Sequence, residues 1–297
     1  MRRLFYFSVI ALSLLFYGAC NETEKGTGTL NLSITDAPID TEDITGVYIT
    51  INEIQYHKSG NNWATFEEFE GPKTYNLLDL TRGESDLLGS FELSSGTYSQ
   101  IRFILDLPDH NHGFPTNPGC YLEFGDGSVE PLFVPSGGQT GYKAVGAFHV
   151  PLNGSVDITA DFDVRKSVVV AGKTGRYILK PTIRLVADNQ AGAIKGDVFN
   201  QADDKSVVVF AYQSGAFNDD ELLIPDEESP RFPNAVSSDL VDENGHYHIA
   251  FLAPGSYDLV VVITNGEDES EVAGIIEDVI VESREKTTVD IDFEDFE

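Results

Sequence analysis

From Gly28 onward, apolar and polar residues alternate with period two. "TLNLSIT" places Leu30, Leu32 and Ile34 on one side, and "VYITI" does the same with Val47, Ile49 and Ile51. Such spacing predicts half-buried strands, because successive strand side chains point to opposite faces. "IRFIL" (Ile101, Phe103, Leu105), "DITADFDV" (Ile158, Ala160, Phe162, Val164) and "YILKPTIRL" continue it, with Arg102 turned away from Ile101 and Phe103. A mostly antiparallel sheet is expected, with one helical turn over Glu84 to Leu88 and no long amphipathic helix. Asp126-Gly127 and Asn153-Gly154 tolerate positive φ and suit tight hairpins, while Pro181 inside a strand-like run marks an edge or a bulge.

The alternation lapses in "VADNQAGAI", which predicts a linker at residues 188–192. A second strand series follows in "GDV", "SVVVFAY", "GHYHIAFLAPGSYDLVVVI" and "TTVDIDF". About seven strands in this stretch suit a β-sandwich. The expected class is all-β, with two β-sandwich domains in tandem over residues 28–187 and 193–297.

The N-terminus has another character. Arg2 and Arg3 precede an uncharged run from Leu4 to Tyr17, and Gly18 and Ala19 then lead to Cys20. Those 14 uncharged residues fall short of the ~20 that a membrane-spanning helix needs and match the apolar region of a signal peptide. Residues 1–19 are therefore expected to be removed. Small residues before a cysteine resemble the lipobox of bacterial lipoproteins, departing from it at Tyr17, where leucine is commoner. The resemblance implies that Cys20 is acylated and becomes the first residue, with residues 20–27 as a tether. It also implies a membrane partner through that lipid and a place in the bacterial cell envelope, at the outer membrane or cell surface. Cys120, the only other cysteine, has no partner for a disulfide and reads as a small apolar filler.

Charge narrows the function. The chain carries 49 acidic and 19 basic residues, a formal net charge of -30. Such a surface repels phosphate backbones, which excludes nucleic acid as a partner. From Ala193 onward there are 26 acidic and 5 basic residues, a distribution that serves solubility and attracts divalent cations or basic proteins.

Two resemblances follow from dispersed motifs. "LNLSITDAP", "VYITINEIQYH", "YNLLDL", "GTYSQIRFIL" and "YILKPTIRLV" resemble, in that order, the domain of unknown function 4382 family, over Gly28 to Ala187. This implies a β-rich fold in a lipid-anchored or secreted protein and brings no established activity. In the second series, Gly196, Val198, "VDENGHYHI" from Val241 to Ile249, Leu252, Pro254, Gly255, Tyr257 and Leu259 resemble a carboxypeptidase-regulatory-like domain. That implies a transthyretin-type sandwich serving as an accessory module without catalysis. Asn244-Gly245 is expected to make a hairpin turn, and Pro254-Gly255 a turn into the next strand.

Candidate chemistry is sparse. Asp109, His110 and His112 offer imidazole and carboxylate for a metal, an incomplete zinc set. Calcium is a candidate at Asp219, Asp220 and Glu221, at Asp242 and Asn244 beside Glu243, and at Glu267, Asp268 and Glu269, although none follows the twelve-position calcium loop. No other cofactor is expected. Trp63 and Tyr56, flanking "KSGNNW", are candidates for a sugar-binding aromatic platform. His246 and His248 should share a solvated strand face. "VVVAGKT", with Gly172, Lys173 and Thr174, imitates a phosphate loop but lacks its first glycine and its helix. Paired acids show no glycosidase spacing, and "GxSxG" is absent. The expectation is a non-catalytic lipid-anchored surface protein for binding, adhesion or structural display, with an extracellular protein or glycan as ligand. The alternatives are a lipid-anchored pilus subunit assembling by strand addition and an uncharacterised extracytoplasmic hydrolase.

Overall fold

The computed structural model describes residues 26–37, 44–58, 62–107, 119–134, 141–171, 175–201, 205–223, 229–264 and 270–296. The period-two segments form strands. The N-terminal body contains β1 (Thr27–Ala37), β2 (Ile44–Lys58), β3 (Trp63–Thr65), β4 (Lys73–Asn76), β5 (Asp86–Ser94), β6 (Gly96–Leu105), β7 (Tyr121–Phe124), β8 (Val129–Pro131), β9 (Tyr142–Val150) and β10 (Ser155–Asp163). One helical turn, α1 (Val164–Ser167), then leads to β11 (Val168–Ala171), β12 (Arg176–Leu179) and β13 (Ile183–Ala187).

Eleven of these strands make one sheet, in the order β5-β1-β10-β13-β9-β6-β2-β7-β8, with β3 and β4 laid beside β2. Two joints are parallel. β1 lies parallel to β10 along its length, whereas β13 and β9 meet only through Ile183 opposite Ala144 and Arg184 opposite Val145. The narrow second joint lets the sheet curl until its halves face each other over one core. Leu32, Ile34, Ile49, Ile101 and Phe162 lie in that core with essentially no exposure. Burying each such side chain contributes ~1.5–3 kcal/mol relative to leaving it in water. Aromatic pairs bridge the halves: Phe66 meets Phe91 at 4.2 Å between ring centroids, and Phe103 meets Phe162 at 5.3 Å.

The second body is built from β14 (Gly192–Phe199), β15 (Ser206–Gln213), β16 (Ser237–Leu240), β17 (His246–Leu252), β18 (Gly255–Thr264), β19 (Ser270–Val281), β20 (Lys286–Thr288) and β21 (Ile291–Asp292). One sheet runs β17-β14-β20, with β21 also on β14, and the other runs β16-β15-β18-β19. Ile194, Val209, Ile249, Leu259 and Val261 fill the space between them. "SVVVFAY" shows no alternation because β15 is buried on both faces. Val207, Val209 and Ala211 enter that core, while Val208, Phe210 and Tyr212 pack beneath the excursion between β15 and β16, against Phe217 and Phe232. Gly196 is required where the C-terminal segment crosses β14, since a Cβ there would lie 1.8 Å from the Val289 carbonyl oxygen.

Several local expectations change. The helical turn falls at Leu77–Leu80, capped by the Asn76 side chain, which accepts from the Leu78 amide, and residues 86–88 of the predicted turn lie in β5. Asp126-Gly127 does close a hairpin, between β7 and β8. Asn153-Gly154, by contrast, joins β9 to β10, which do not pair, and Asn244-Gly245 and Pro254-Gly255 carry the chain between the two sheets of the second body. These are corners, because positive φ permits a tight turn without dictating which strands it joins. Pro181 ends a strand: it separates β12, in the hairpin with β11, from β13 in the main sheet. Residues 188–192 include a hydrogen-bonded turn in which the Gln190 and Ala191 amides donate to the Ala187 carbonyl at 2.8 and 3.1 Å. Cys120 is fully buried, and burial pushes its thiol up to about 12, as expected of a filler.

Candidate functional site

Two clusters of polar and aromatic side chains stand out, one on the outer face of the N-terminal sheet and one between the bodies. On the outer face, register aligns Thr65, Gln55, Arg102 and Lys143 across β3, β2, β6 and β9, and beside them Trp63, His57, Gln100 and Val145. Trp63 stands at the edge but reaches inward. Its ring centroid lies 4.2 Å from the Arg102 guanidinium carbon and 6.0 Å from the Lys143 ammonium, with the His57 ring at 5.3 Å. Arg102 Nε donates to Gln55 Oε1, and the Gln55 amide donates to Glu53, whose Oε1 also accepts from Thr65 at 2.8 Å. The His57 ring meets the Ser99 hydroxyl at 2.8 Å.

Tyr56, expected to share a platform with Trp63, is on the opposite face. The hairpin pairs Trp63 with His57, and one residue along a strand reverses the side. Tyr56 instead packs on Phe66 and Tyr98, at 4.7 and 5.6 Å.

The second cluster joins the bodies through Arg82, Arg165 and Lys166. Arg82 sits at φ 58 after the Leu77–Leu80 turn. It donates to Asp242 Oδ2 at 3.1 Å, to the Leu240 carbonyl at 2.7 Å and, more loosely, to Asp239 at 3.4 Å. Its own carbonyl accepts from His248 Nδ1 at 2.7 Å, which fixes the proton on that nitrogen. Burial holds the His248 imidazole below its ordinary pKa. His248 therefore lies at the junction, not on a solvated face with the exposed His246, whose Nδ1 contacts Asp197.

Arg165 and Lys166 come from α1. The fully covered Arg165 guanidinium donates to the Arg231 and Phe232 carbonyls at 2.8 and 2.7 Å and to Asp163 at 3.1 Å, and lies 5.3 Å from the Phe210 ring. Lys166 donates to the Ala235 carbonyl. Behind them Asp161 accepts from Arg184 Nε at 2.7 Å, and Asp36 accepts from the Val164 amide at 3.0 Å. Burial raises the pKa of both carboxyls, Asp36 most strongly. Burial also drives Asp239 up to about 6, against the pull of the His248 amide and Arg82.

The calcium candidates have protein partners. Glu221 accepts from the Tyr212 hydroxyl at 3.2 Å and from the Asn234 backbone and side-chain amides at 3.1 and 3.0 Å, so it ties the excursion down. Asp219 and Asp220 lie with Glu221 in one short helical turn, Asp219–Leu222, with the Asp220 amide capped by Asn218. Asp242 Oδ1 accepts from the Asn244 and His246 amides, both at 2.9 Å, and Asn244 contributes that amide to the turn. Burial pushes the Asp242 carboxyl up, yet those amides together with Arg82 bring it below its ordinary value. Among the described residues, no group of three or more His, Cys, Asp or Glu is arranged to hold a metal. Cys20, Asp109, His110, His112, Gly172, Lys173, Thr174, Glu267, Asp268 and Glu269 lie outside the described residues. Sequence reasoning passed over Arg82, Asp239, Arg165 and Lys166; the signal available was "DFDVRK", four charges crowded at the end of an apolar strand.

Among the described residues, no helix is long and apolar enough to cross a membrane. No curated protein matches the chain. Among solved structures, the chain is similar to GBS52, the minor pilin of Streptococcus agalactiae, at 14% identity over 88% of this chain and 94% of that one, with a TM-score of 0.22. The shaft pilin SpaA of Lactobacillus rhamnosus GG is similar at 10% identity over 89% of this chain and 97% of that one, with a TM-score of 0.23. The Bacillus anthracis TIE protein is similar at 12% identity and a TM-score of 0.20 over 90% of this chain, which spans 34% of that protein's length. The model of one family, described as Domain of unknown function (DUF4382), matches residues 27–181, more than half of the chain, and the protein belongs to that family.

Proposed function

We propose that this protein is a non-catalytic binding module of the bacterial cell surface, held to a membrane by lipid on Cys20, with a transthyretin-type second domain. The observation that carries the reading is the junction. Arg82, Arg165 and Lys166 reach from the first body to backbone carbonyls and carboxylates of the second, so the two behave as one stiff unit. A stiff pair of sandwiches at the end of a tether suits presentation of a surface. The leader supports the tether, since small residues before Cys20 fit acylation there. One acyl chain holds a protein only reversibly, whereas two or three hold it stably.

The test is lipid labelling combined with fractionation. Radiolabelled palmitate should enter the wild type and not Cys20→Ser, and the variant should leave the membrane fraction. An unmodified Cys20 in the intact mass of the mature protein would overturn the reading.

A second reading, a pilus subunit, is favoured by β19. It is an edge strand of 12 residues with Ile275 and Ile280 exposed. An open edge accepts a strand from another chain. Two register shifts and Asp278 at φ 57 interrupt it, which is how sheet edges are kept from pairing. Denaturant-resistant ladders of the native protein would decide for the pilus.

A further inference from the structure

β9 and β13 separate soon after they meet. They pair only through Ile183 opposite Ala144 and Arg184 opposite Val145. Gly146, at φ 141, then turns β9 aside, and a Cβ there would lie 2.9 Å from the Leu185 carbonyl oxygen. Beyond that point residues 147–150 are paired to β6 alone, and across the gap Ser155 and Val156 of β10 are paired to β1 alone. A strand paired on one side leaves about half of its N–H and C=O groups directed outward on the other. Here the two open flanks border one cleft of about 480 Å³, limited at one end by Pro151 of the β9–β10 corner and at the other by Asn189 and Gln190 of the turn after β13. Phe148, Val156 and Ala187 give it an apolar side continuous with the core. Thr97, His149, Ser155, Asn189 and Gln190 stand exposed around it, with the Thr97 hydroxyl 3.4 Å from His149 Nδ1. Among the described residues, no Asp, Glu, Lys or Arg lines the cleft, although such residues make up 23% of the chain.

We infer that this cleft binds a short, neutral oligosaccharide. A charged ligand would lose water there and meet no opposite charge in return, while a wholly apolar one would cover the open backbone groups and leave them unbonded. A sugar fits both kinds of lining. Its hydroxyls donate and accept, as do the backbone flanks of β9 and β10, the carboxamides of Asn189 and Gln190 and the hydroxyls of Thr97 and Ser155. Its C–H face lies against Phe148 and Pro151. A volume of about 480 Å³ also falls within the ~300–1,000 Å³ of small-ligand clefts. The inference gives a ligand class to the binding module proposed above and rests on that reading for its setting outside the cell.

The full chain, labelled with nitrogen-15 and held in detergent solution, is titrated with neutral tetrasaccharides of glucose, galactose, mannose and N-acetylglucosamine, with tetragalacturonate, and with tetraalanine capped at both ends. At least one neutral sugar should saturate the protein and shift the amide signals of residues 147–150 and 155–157, with tetragalacturonate bound ~10-fold or more weakly. Asn189→Ala should weaken that sugar about 3–10-fold, the worth of one hydrogen bond, and Ala147→Arg, which fills the cleft, by ~10-fold or more. Both positions are exposed, so the fold survives either change, and unshifted signals elsewhere verify it. Lys143→Gln, on the neighbouring Trp63 face, should change nothing. Saturation by none of the four neutral sugars, shifts confined to another surface, tetragalacturonate or capped tetraalanine bound as tightly, or either cleft variant left unaffected would overturn the inference. The titration does not depend on acylation. Failure here with a lipidated Cys20 removes the ligand and leaves the display reading, and binding by a chain whose Cys20 is unmodified does the reverse.

Discussion

Arg165 and Arg102 both contact an aromatic ring and both come from the N-terminal body, yet their surroundings give them opposite work. Arg165 is covered, its guanidinium spent on Asp163 and two carbonyls of the other body. Arg102 keeps part of its surface in water, stacked on Trp63 beside another cation. The contrast shows how burial decides what a charge does. In the junction, removing the cation strands its partners away from solvent, whereas on the platform water replaces whatever is lost.

The largest expected effect follows at once. Arg165→Met preserves much of the packing over Phe210 but takes a donor from the Arg231 and Phe232 carbonyls and the guanidinium from Asp163, which keeps only Lys166. Breaking a buried pair from one side costs about 3–5 kcal/mol. Chemical denaturation of the variant should show a loss of that size, and a loss below about 1 kcal/mol would mean that the bodies are not coupled through this residue.

Asp239 tests the junction through pH. Its carboxyl titrates at about 6 in the folded protein against an ordinary 3.8. The folded state therefore binds more protons between those values, so this group's contribution is full below about pH 4 and is lost as pH rises through 6. The loss is on the order of 3 kcal/mol. Arg82, Asp242 and His248 face it and set the remaining balance. Asp239→Asn cannot titrate, so wild type minus variant stability should fall from pH 4 to pH 7. Parallel curves across that interval would refute the assignment.

How much of this could be read in the sequence depends on the range of the interaction. β1, β2 and β6 were legible because alternation is local: Leu30, Leu32 and Ile34 need only a pleat to share a face. The parallel join of β1 to β10, which brings Thr29 opposite Ser155, leaves no periodic trace, since register between distant strands is settled by the whole core. β15 was legible as a strand, but not why it lacks alternation: its second apolar face is covered by Phe217 and Phe232 of an excursion that carries no periodic signal. The candidate site was half legible. Trp63 was singled out, but its partners Arg102 and Lys143 lie two and three strands away, and the parity separating it from Tyr56 depends on where the intervening hairpin turns. Acidic clusters suggested calcium because composition cannot reveal that Glu221 faces Asn234 or that Asp242 faces Arg82.

Glu221 gives an effect of intermediate size. It holds the excursion through Tyr212 and Asn234 but remains partly open to water. Glu221→Ala should cost about 1–2 kcal/mol, since the donors it leaves are partly rehydrated. Exchange of the Asn234 amide hydrogen should accelerate while the β18 amides stay protected. Uniform acceleration throughout the second body would show instead that the excursion is integral to its core.

The smallest effect belongs to the platform, and its smallness is the point of the comparison. Lys143 is exposed, lies 6.0 Å from the Trp63 centroid, and opposes Arg102 across the ladder. Its attraction to the indole, about 0.5 kcal/mol at an open site, is set against repulsion between like charges of similar size. Lys143→Gln should therefore leave the denaturation midpoint nearly unchanged, within about 0.5 kcal/mol of wild type. A clear gain in stability would show that the repulsion dominates and that the sheet tolerates the pairing at a cost. A clear loss would place Lys143 among the structural cations with Arg165 and erase the distinction between the two clusters.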